Sequence, residues 1–229
     1  MRLQRVLEPE VMDSEQEAGD YDAIDNREVN EQFCADVLAV APAPRRALDV
    51  GTGTALIPIA LCRRAAGVHV VAIDMADSML ALARRNVERA GLASRIELAR
   101  RDAKDTGYPR GFDLALSNSI VHHIPEPLET LREMVRVVES GGVVFVRDLA
   151  RPPSDADVLR LVEMHAEVPD GVPAPERNVY LRQRALFEAS LRAALTVEEV
   201  NELIRELPFS SVDLRMTSDR HWTLVGRVR

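Results

Sequence analysis

Hydrophobic residues between positions 45 and 150 follow two alternating patterns. Short apolar runs predict buried strands, and the stretches between them carry apolar residues at helical spacing. The predicted strands cover residues 47–50, 68–73, 95–100, 112–119 and 143–149. This alternation of strand and helix predicts a parallel, doubly wound α/β sheet with a ligand bound across the carboxyl edge of its strands.

Polar and glycine residues predict where the helices begin and end. Asp77 and Ser78 are candidate caps for the helix after the second strand, and Gly91 is expected to end it. Gly141 and Gly142 are expected to end the helix before the fifth strand.

The chain changes character after residue 150. Prolines interrupt a helical segment, Thr196 with Glu199 forms a capping box, and two closing apolar runs predict a terminal hairpin over 212–228. We predict four parts: an N-terminal arm and lid helix (1–44), a ligand-binding α/β core (45–150), a helical cap insert (151–195), and a closing helix with the hairpin (196–229).

A glycine turn follows the first strand. Gly51 and Gly53 lack a Cβ, so the backbone can turn sharply there and approach a ligand closely. The helix that follows points free N–H groups and a partial positive charge at that ligand. Taken alone, the segment also fits an ordinary turn between a strand and a helix.

An acidic residue ends the next predicted strand. Asp74 lies 21 residues after Gly53, at a position where a carboxylate accepts hydrogen bonds from ribose hydroxyls. Nicotinamide cofactors and S-adenosylmethionine both carry such a ribose. Asp49, two residues before Gly51, suits a ligand with a positive ammonium or sulfonium better than one with a diphosphate.

Two runs, residues 49–55 (DVGTGTA) and 72–75 (AIDM), closely resemble motif I and the acidic loop of class I S-adenosylmethionine-dependent methyltransferases. The resemblance spans residues 45–150 by its motifs and the remainder by layout only. It implies a Rossmann-like methyltransferase fold, a doubly wound, seven-stranded, mostly parallel α/β sheet with a C-terminal antiparallel hairpin. Many family members have a third glycine where this chain has Ala55.

The resemblance also implies which residues of the first two strand ends bind S-adenosylmethionine. Gly51, Thr52 and Gly53 are expected to wrap its amino-acid half. Asp49 is expected to support either the turn or the ammonium group, and Asp74 to hold the ribose hydroxyls.

The resemblance also implies which residues contact the adenine and the methyl end of the cofactor. Met75 is expected to pack on the adenine, and Asp102 with the Ala103 backbone to bind the adenine amino group, although Asp102 also fits a simple turn cap. Asn118 and Ser119, at the exit of the fourth strand, are expected beside the methionine portion and the methyl group.

The N-terminal region is acidic and poorly periodic. We expect a solvated arm over residues 1–15. Tyr21, within the segment 21–24 that leads into a helix, is a candidate lid over the cofactor, with plain packing as the alternative.

Two adjacent histidines, His122 and His123, follow the fourth strand, where an acceptor would approach. A neutral imidazole there can take a proton from a hydroxyl or an amine. The alternative is a histidine bonded to backbone at a helix start. No metal is predicted, because adjacent histidines are expected to point in different directions and no third ligand is evident.

Composition limits the partners. The chain of 229 residues is 46% hydrophobic and carries a formal net charge of −8, which argues against non-specific nucleic-acid binding. It lacks a signal-peptide pattern and a long apolar run, so we predict a cytoplasmic protein with no membrane partner. Cys34 and Cys62 are expected to be reduced core thiols. The oligomeric state stays open.

The exit of the fourth strand also bears on the acceptor. Enzymes that methylate amino groups of nucleic-acid bases and proteins carry an Asn/Asp-Pro-Pro-Tyr/Phe run there, whereas this chain has SNSI at residues 117–120. We therefore predict methyl transfer from S-adenosylmethionine to a small molecule, with S-adenosylhomocysteine as product and the 151–195 insert binding the acceptor. The alternatives are a nicotinamide-dependent oxidoreductase and a non-catalytic S-adenosylmethionine-binding module.

Overall fold

A computed structural model describes residues 3–11, 13–22 and 26–229 of the chain. Seven strands form one sheet in the order β3-β2-β1-β4-β5-β7-β6. They are β1 (Arg46–Val50), β2 (His69–Asp74), β3 (Ile96–Arg100), β4 (Phe112–Asn118), β5 (Val138–Leu149), β6 (Phe209–Met216) and β7 (His221–Val228). The first five strands pair in parallel, and β7 is antiparallel to both β5 and β6. The predicted fold class is confirmed.

Helices cover both faces of the sheet and connect its parallel strands, except for β3 and β4, which are joined without a helix. They are α1 (Glu15–Asp22), α2 (Arg27–Val40), α3 (Leu56–Arg64), α4 (Asp77–Arg89), α5 (Pro127–Val137), α6 (Asp155–His165), α7 (Ala174–Ala193) and α8 (Val197–Ile204), with a short 3-10 helix at Val121–His123. Within the described ranges, none of these helices has the length and apolarity needed to cross a membrane.

Each face of the sheet has its own apolar core, which explains the nearly continuous hydrophobicity of the strands. On one face, α5 and α8 pack around the fully buried Trp222. On the other face, α2, α3 and α4 pack on the sheet, and the Phe33 ring meets Phe145 edge-on with centroids 5.2 Å apart. Cys34 and Cys62 are buried free thiols in this second core.

Gly141 and Gly142 do not end α5, so that prediction is wrong. The helix ends at Val137 and β5 begins at the next residue, with a register shift at the start of its pairing with β4. Gly141 adopts a φ of +82°, and a Cβ at Gly142 would lie 2.9 Å from the carbonyl oxygen of Asp113. The two glycines therefore allow an irregular strand to approach its neighbour closely.

The predicted caps have different outcomes. The capping box of Thr196 and Glu199 is confirmed, because both of its reciprocal hydrogen bonds are present. Asp77 and Ser78 do not cap α4; the Ser78 amide instead donates to the Asp13 carboxylate at 3.0 Å. The prediction that Asp77 or Ser78 caps α4 is wrong, because a carboxylate from the N-terminal arm accepts the hydrogen bond of the Ser78 amide.

The N-terminal arm lies against the protein, so the expectation of a solvated arm holds only in part. Most residues between 3 and 11 are exposed, whereas Leu3, Arg5 and Glu8 are partly buried. The Arg5 guanidinium donates to the carbonyl oxygens of His122 at 3.1 Å, Ile124 at 2.9 Å and Ala193 at 2.7 Å. One arginine thus fastens the arm to the 3-10 helix and to the end of α7. Residues 23–25, which include part of the predicted lid segment, lie outside the described residues.

Gly226→Ala is expected to destabilise the fold. A Cβ at Gly226, in β7, would stand 2.4–2.7 Å from three carbons of the Phe209 ring. Phe209 is itself buried, so the ring has little room to move, and overpacking of this kind costs about 1–3 kcal/mol.

Urea unfolding measures this loss of free energy. Gly67→Ala is the control, because nothing lies within 4 Å of a Cβ built at Gly67. Equal stabilities for the two variants would contradict the packing described for β7.

Candidate functional site

A pocket opens at the carboxyl edge of the sheet, beside the ends of the neighbouring strands β1 and β4. The sheet order reverses between these two strands, and such a switch point is where doubly wound folds bind ligands. Most of the predicted cofactor-binding residues line this pocket: Tyr21, Gly51, Gly53, Asp74, Met75, Asp102, Ala103, Asn118 and Ser119.

The glycine turn and the acidic residue of β2 are joined directly. The Gly53 amide donates to one carboxylate oxygen of Asp74 at 2.8 Å, and the Ala76 amide donates to the other at 2.9 Å. Gly51 and Gly53 have φ values of +73° and +54°, which glycine adopts without strain. Burial raises the pKa of Asp74, and the two amides oppose that rise.

Asp49, in β1, and Thr52, in the turn that follows, are buried and are not among the residues that line the pocket. One oxygen of the Asp49 carboxylate, Oδ2, has no hydrogen-bond partner among the residues that the structure describes. Burial, with a smaller contribution from the nearby Asp74 charge, raises the pKa of Asp49 to about 7.

The exit of β4 forms the opposite wall. Ser119 adopts a left-handed φ of +58°, and its amide donates to the Arg147 carbonyl oxygen at 2.9 Å. Ile120 follows and fits against the turn, because a Cβ at Gly51 would lie 2.3 Å from its side chain. The left-handed residue turns the chain from the strand into the pocket wall.

The far end of the pocket lies between the ends of β2 and β3. Asp102 accepts a hydrogen bond from the Lys104 amide at 2.8 Å and pairs with the Lys104 ammonium at 3.0 Å. Its carboxylate therefore caps a turn as well as facing the pocket with Met75 and Ala103.

The two histidines form a buried cluster with acidic residues. The ring centroids of His122 and His123 are 4.1 Å apart, and the carboxylate of Glu8 lies 3.5 Å from His122 Nε2 and 3.2 Å from His123 Nδ1. The expectation that the two rings point apart without a third ligand is wrong. The arm supplies that third group.

Asp148, at the end of β5, holds His122 in place. One oxygen of Asp148 lies 2.5 Å from His122 Nδ1, and the other accepts the Val121 amide at 2.6 Å. Burial disfavours the charged forms, but the pairing outweighs it, so the pKa of His122 is raised and that of Asp148 is lowered. Burial, together with the His122 charge, lowers the pKa of His123 to about 4.

Sequence reasoning missed Glu8 and Asp148. Asp148 has a recognisable signal, a carboxylate at the end of an apolar strand that neighbours the predicted site. Glu8 has none, since it is one of several acidic residues in an aperiodic arm and is buried only through long-range contacts.

A wide groove continues from the histidine cluster toward α7 and the hairpin. Within the 151–195 insert, Phe187 lines this groove. Tyr180, Arg182 and Arg192 do not. Arg182 is bonded to Asp20 and Arg192 to Asp155. Asn118, Ser119 and His123 border both the pocket and the groove: they lie where the two meet.

Comparisons with known proteins identify the family of this chain. The family described as a methyltransferase domain matches residues 48–146. A demethylmenaquinone methyltransferase of Clavibacter sepedonicus is 36% identical over 186 residues, covering 79% of this chain and 72% of the relative. One from Thermus thermophilus is 38% identical over 120 residues, or 52% of this chain and 54% of the relative. The chain spans about half the length of several curated relatives that it matches.

Solved structures agree on the fold. A methyltransferase from Aquifex aeolicus, described as dependent on S-adenosylmethionine, superposes with a TM-score of 0.65 at 16% identity, covering 95% of this chain and all of that one. The sheet order and the switch-point pocket define a Rossmann-like cofactor-binding fold. The chain belongs to the class I S-adenosylmethionine-dependent methyltransferase family, whose cofactor is S-adenosylmethionine.

Asp49→Asn is expected to flatten the pH dependence of stability in the ligand-free protein. The folded pKa of about 7 lies above the ordinary value of an aspartate, so folding favours the protonated form. The stability contributed by protonated Asp49 is fully present below about pH 4 and is lost as the pH rises through 7, on the order of 4 kcal/mol in all.

Urea unfolding between about pH 5 and pH 8 measures this slope. The control is Asp213→Asn on β6, whose carboxylate is exposed. An Asp49→Asn protein that loses stability with pH as steeply as the wild type would show that Asp49 is not the buried acid responsible.

Proposed function

We propose that this protein transfers a methyl group from S-adenosylmethionine to a small-molecule acceptor. One observation carries the proposal: the glycine turn of β1 and the carboxylate of β2 are hydrogen-bonded at 2.8 Å on the rim of a pocket that opens into a second groove. Such a pocket accommodates a cofactor, and the groove beside it gives an acceptor access to the cofactor's reactive end.

The residues present fit the cofactor. Asp49 has a buried carboxylate oxygen without a partner among the described residues, and a ligand ammonium nearby would stabilise its charge. Gly53 carries no Cβ and lines the pocket, so a ligand can approach its backbone, whereas the space beside Gly51 is filled by the Ile120 side chain. Thr52 is buried in the same turn, and we propose that it supports the turn beside the amino-acid half.

The other roles follow the pocket from end to end. Asp74 retains lone pairs for the ribose hydroxyls beyond its two backbone bonds. Met75 packs on the adenine, and Asp102 with the Ala103 backbone binds its amino group. Tyr21 lies close to the turn, since a Cβ at Gly53 would be 3.6 Å from its ring, and we assign it the role of lid.

The sulfonium of S-adenosylmethionine supplies an already activated methyl group, so the protein must align the acceptor and exclude water. Asn118 and Ser119 face both the pocket and the groove, where they can orient the two reactants. His123 is the candidate base, because its ring borders both cavities and its lowered pKa keeps the imidazole neutral; a pKa of about 4 makes it a weak base. His122, fixed by Asp148, positions the adjacent ring.

The acceptor is proposed to be a small hydroxylated aromatic compound. The two relatives described above are named demethylmenaquinone methyltransferases, and the groove combines apolar Leu186 and Phe187 with polar groups. A cytoplasmic location stays a prediction.

The experiment that tests this function follows methyl transfer directly. The protein is incubated with S-adenosylmethionine and a panel of reduced quinones and simple phenols, and S-adenosylhomocysteine and methylated product are quantified by mass spectrometry. Thermal shift with S-adenosylmethionine, S-adenosylhomocysteine and NAD runs in parallel, since a tight ligand raises apparent stability. Stabilisation by NAD alone would overturn the proposal in favour of an oxidoreductase.

Asp74→Ala is expected to weaken S-adenosylhomocysteine binding by about 1.5–3 kcal/mol, the range for hydrogen bonds to a charged group. Calorimetry measures the dissociation constant, and Asp77→Ala is the control because that neighbouring carboxylate is largely exposed. Asp74→Asn, which keeps the side-chain shape, separates loss of charge from loss of the turn. An unchanged constant in both Asp74 variants would remove Asp74 from the cofactor site.

A further inference from the structure

We propose that Glu8, His122 and His123 bind a divalent transition metal ion of the Zn²⁺ class, at the junction between the cofactor pocket and the groove. This reverses the expectation of a metal-free site. The three side chains are brought together by the N-terminal arm and the 3-10 helix after β4, and their candidate ligand atoms all lie within 4.8 Å of one another.

Two of the three distances between ligand atoms fit a tetrahedral metal. Two ligands that each lie about 2.0–2.1 Å from a tetrahedral Zn²⁺ are separated by roughly 3.3 Å. Glu8 Oε1 lies 3.5 Å from His122 Nε2 and 3.2 Å from His123 Nδ1. Two imidazoles and a carboxylate also form a common ligand set of catalytic zinc sites, which keep one position open.

Two of the three ligand atoms are buried without a hydrogen-bond partner. Glu8 Oε1 and His123 Nδ1 are in this state within the part of the chain that the structure describes. The Glu8 side chain is only 8% exposed. Buried polar atoms are normally satisfied, and an atom left unsatisfied calls for an explanation. A shared cation would satisfy both atoms at once.

The surroundings of His122 match those of a metal ligand. Histidines that bind metals usually direct their second ring nitrogen to a carboxylate, which fixes the tautomer and the ring orientation. His122 Nδ1 lies 2.5 Å from the fully buried Asp148 carboxylate, while Nε2 faces Glu8. Asp148 is held in turn by the Val121 amide at 2.6 Å.

The arm is fastened at the point where it delivers Glu8. Arg5, three residues earlier, donates to the carbonyl oxygens of His122 and Ile124. These bonds attach the arm to the same 3-10 helix that carries the two imidazoles. The cluster also contains two carboxylates, from Glu8 and Asp148, whose negative charge offsets that of a divalent ion.

The position of the site suggests its use, and this step rests on the proposed function. His123 borders both the pocket and the groove, so the open metal position would face the acceptor. An acceptor hydroxyl bound there would release its proton to water and remain as a metal-bound oxyanion, poised for methylation. His123 would then act as a ligand instead of a base.

The test measures metal binding by the full, tag-free chain without cofactor or acceptor. Chelator-treated protein is titrated with Zn²⁺ by calorimetry and with Co²⁺ by visible absorption, and bound metal is counted by elemental analysis. We expect one ion per chain and intense visible absorption by Co²⁺, which indicates a low coordination number. Glu8→Gln and His123→Gln should each bind the metal at least tenfold more weakly. Asp148→Asn should weaken binding by about 10–100-fold.

Matched variants keep this test specific. Glu10→Gln changes another carboxylate of the arm, and His69→Gln changes an exposed histidine at the start of β2; both should bind metal as the wild type does. Failure of the wild type to bind one ion, or wild-type affinity in Glu8→Gln, would overturn the proposal. If the metal-free protein transfers methyl groups, only the metal's role in the reaction is refuted. If the protein binds one metal ion but transfers no methyl group, the metal site stands and the result counts against the proposed function.

Discussion

The hydrogen bond from the Gly53 amide to the Asp74 carboxylate is the contact on which the rest of the site depends. It joins the ends of β1 and β2 at 2.8 Å, while the parallel register of the two strands fixes those ends side by side. The Ala76 amide occupies the second oxygen and ties the carboxylate to the start of α4. One half-buried acid therefore holds the rim of the pocket in place through bonds within the protein, and such preorganisation lowers the cost of binding.

The parts of the molecule that could be predicted from sequence are those that local patterns encode. The five parallel strands follow from apolar runs, and the positions of Gly51 and Asp74 follow from the rule that parallel strands end at one edge. Local patterns failed where one pattern has two meanings. Two adjacent glycines such as Gly141 and Gly142 fit the end of a helix as well as they fit an irregular strand. Only the close approach of β4 shows that they belong to a strand.

Of the histidine cluster, the two histidines can be predicted from the sequence, but Glu8 cannot. His122 and His123 were found because they follow β4 directly. Glu8 lies far away in sequence and is seated by the contacts of Arg5 with carbonyl groups, which no periodicity reveals. The expectation that adjacent histidines diverge is wrong, because the ring centroids of His122 and His123 in the 3-10 helix lie 4.1 Å apart.

Among the residues that the structure describes, non-glycine residues with left-handed φ angles follow the two strands that border the pocket. Ala55 and Ser119 both adopt left-handed φ angles, of 62° and 58°, and such residues cost about 1–3 kcal/mol each unless the surroundings hold them. Ala55 occupies the place where many relatives of this family have glycine, and its full burial leaves the turn no freedom to relax. Ser119 is held by its bond to the Arg147 carbonyl in β5. The strained residues follow β1 and β4, the two strands that border the switch point. The strained backbone therefore lies next to the place where the proposed reaction aligns the cofactor with the acceptor.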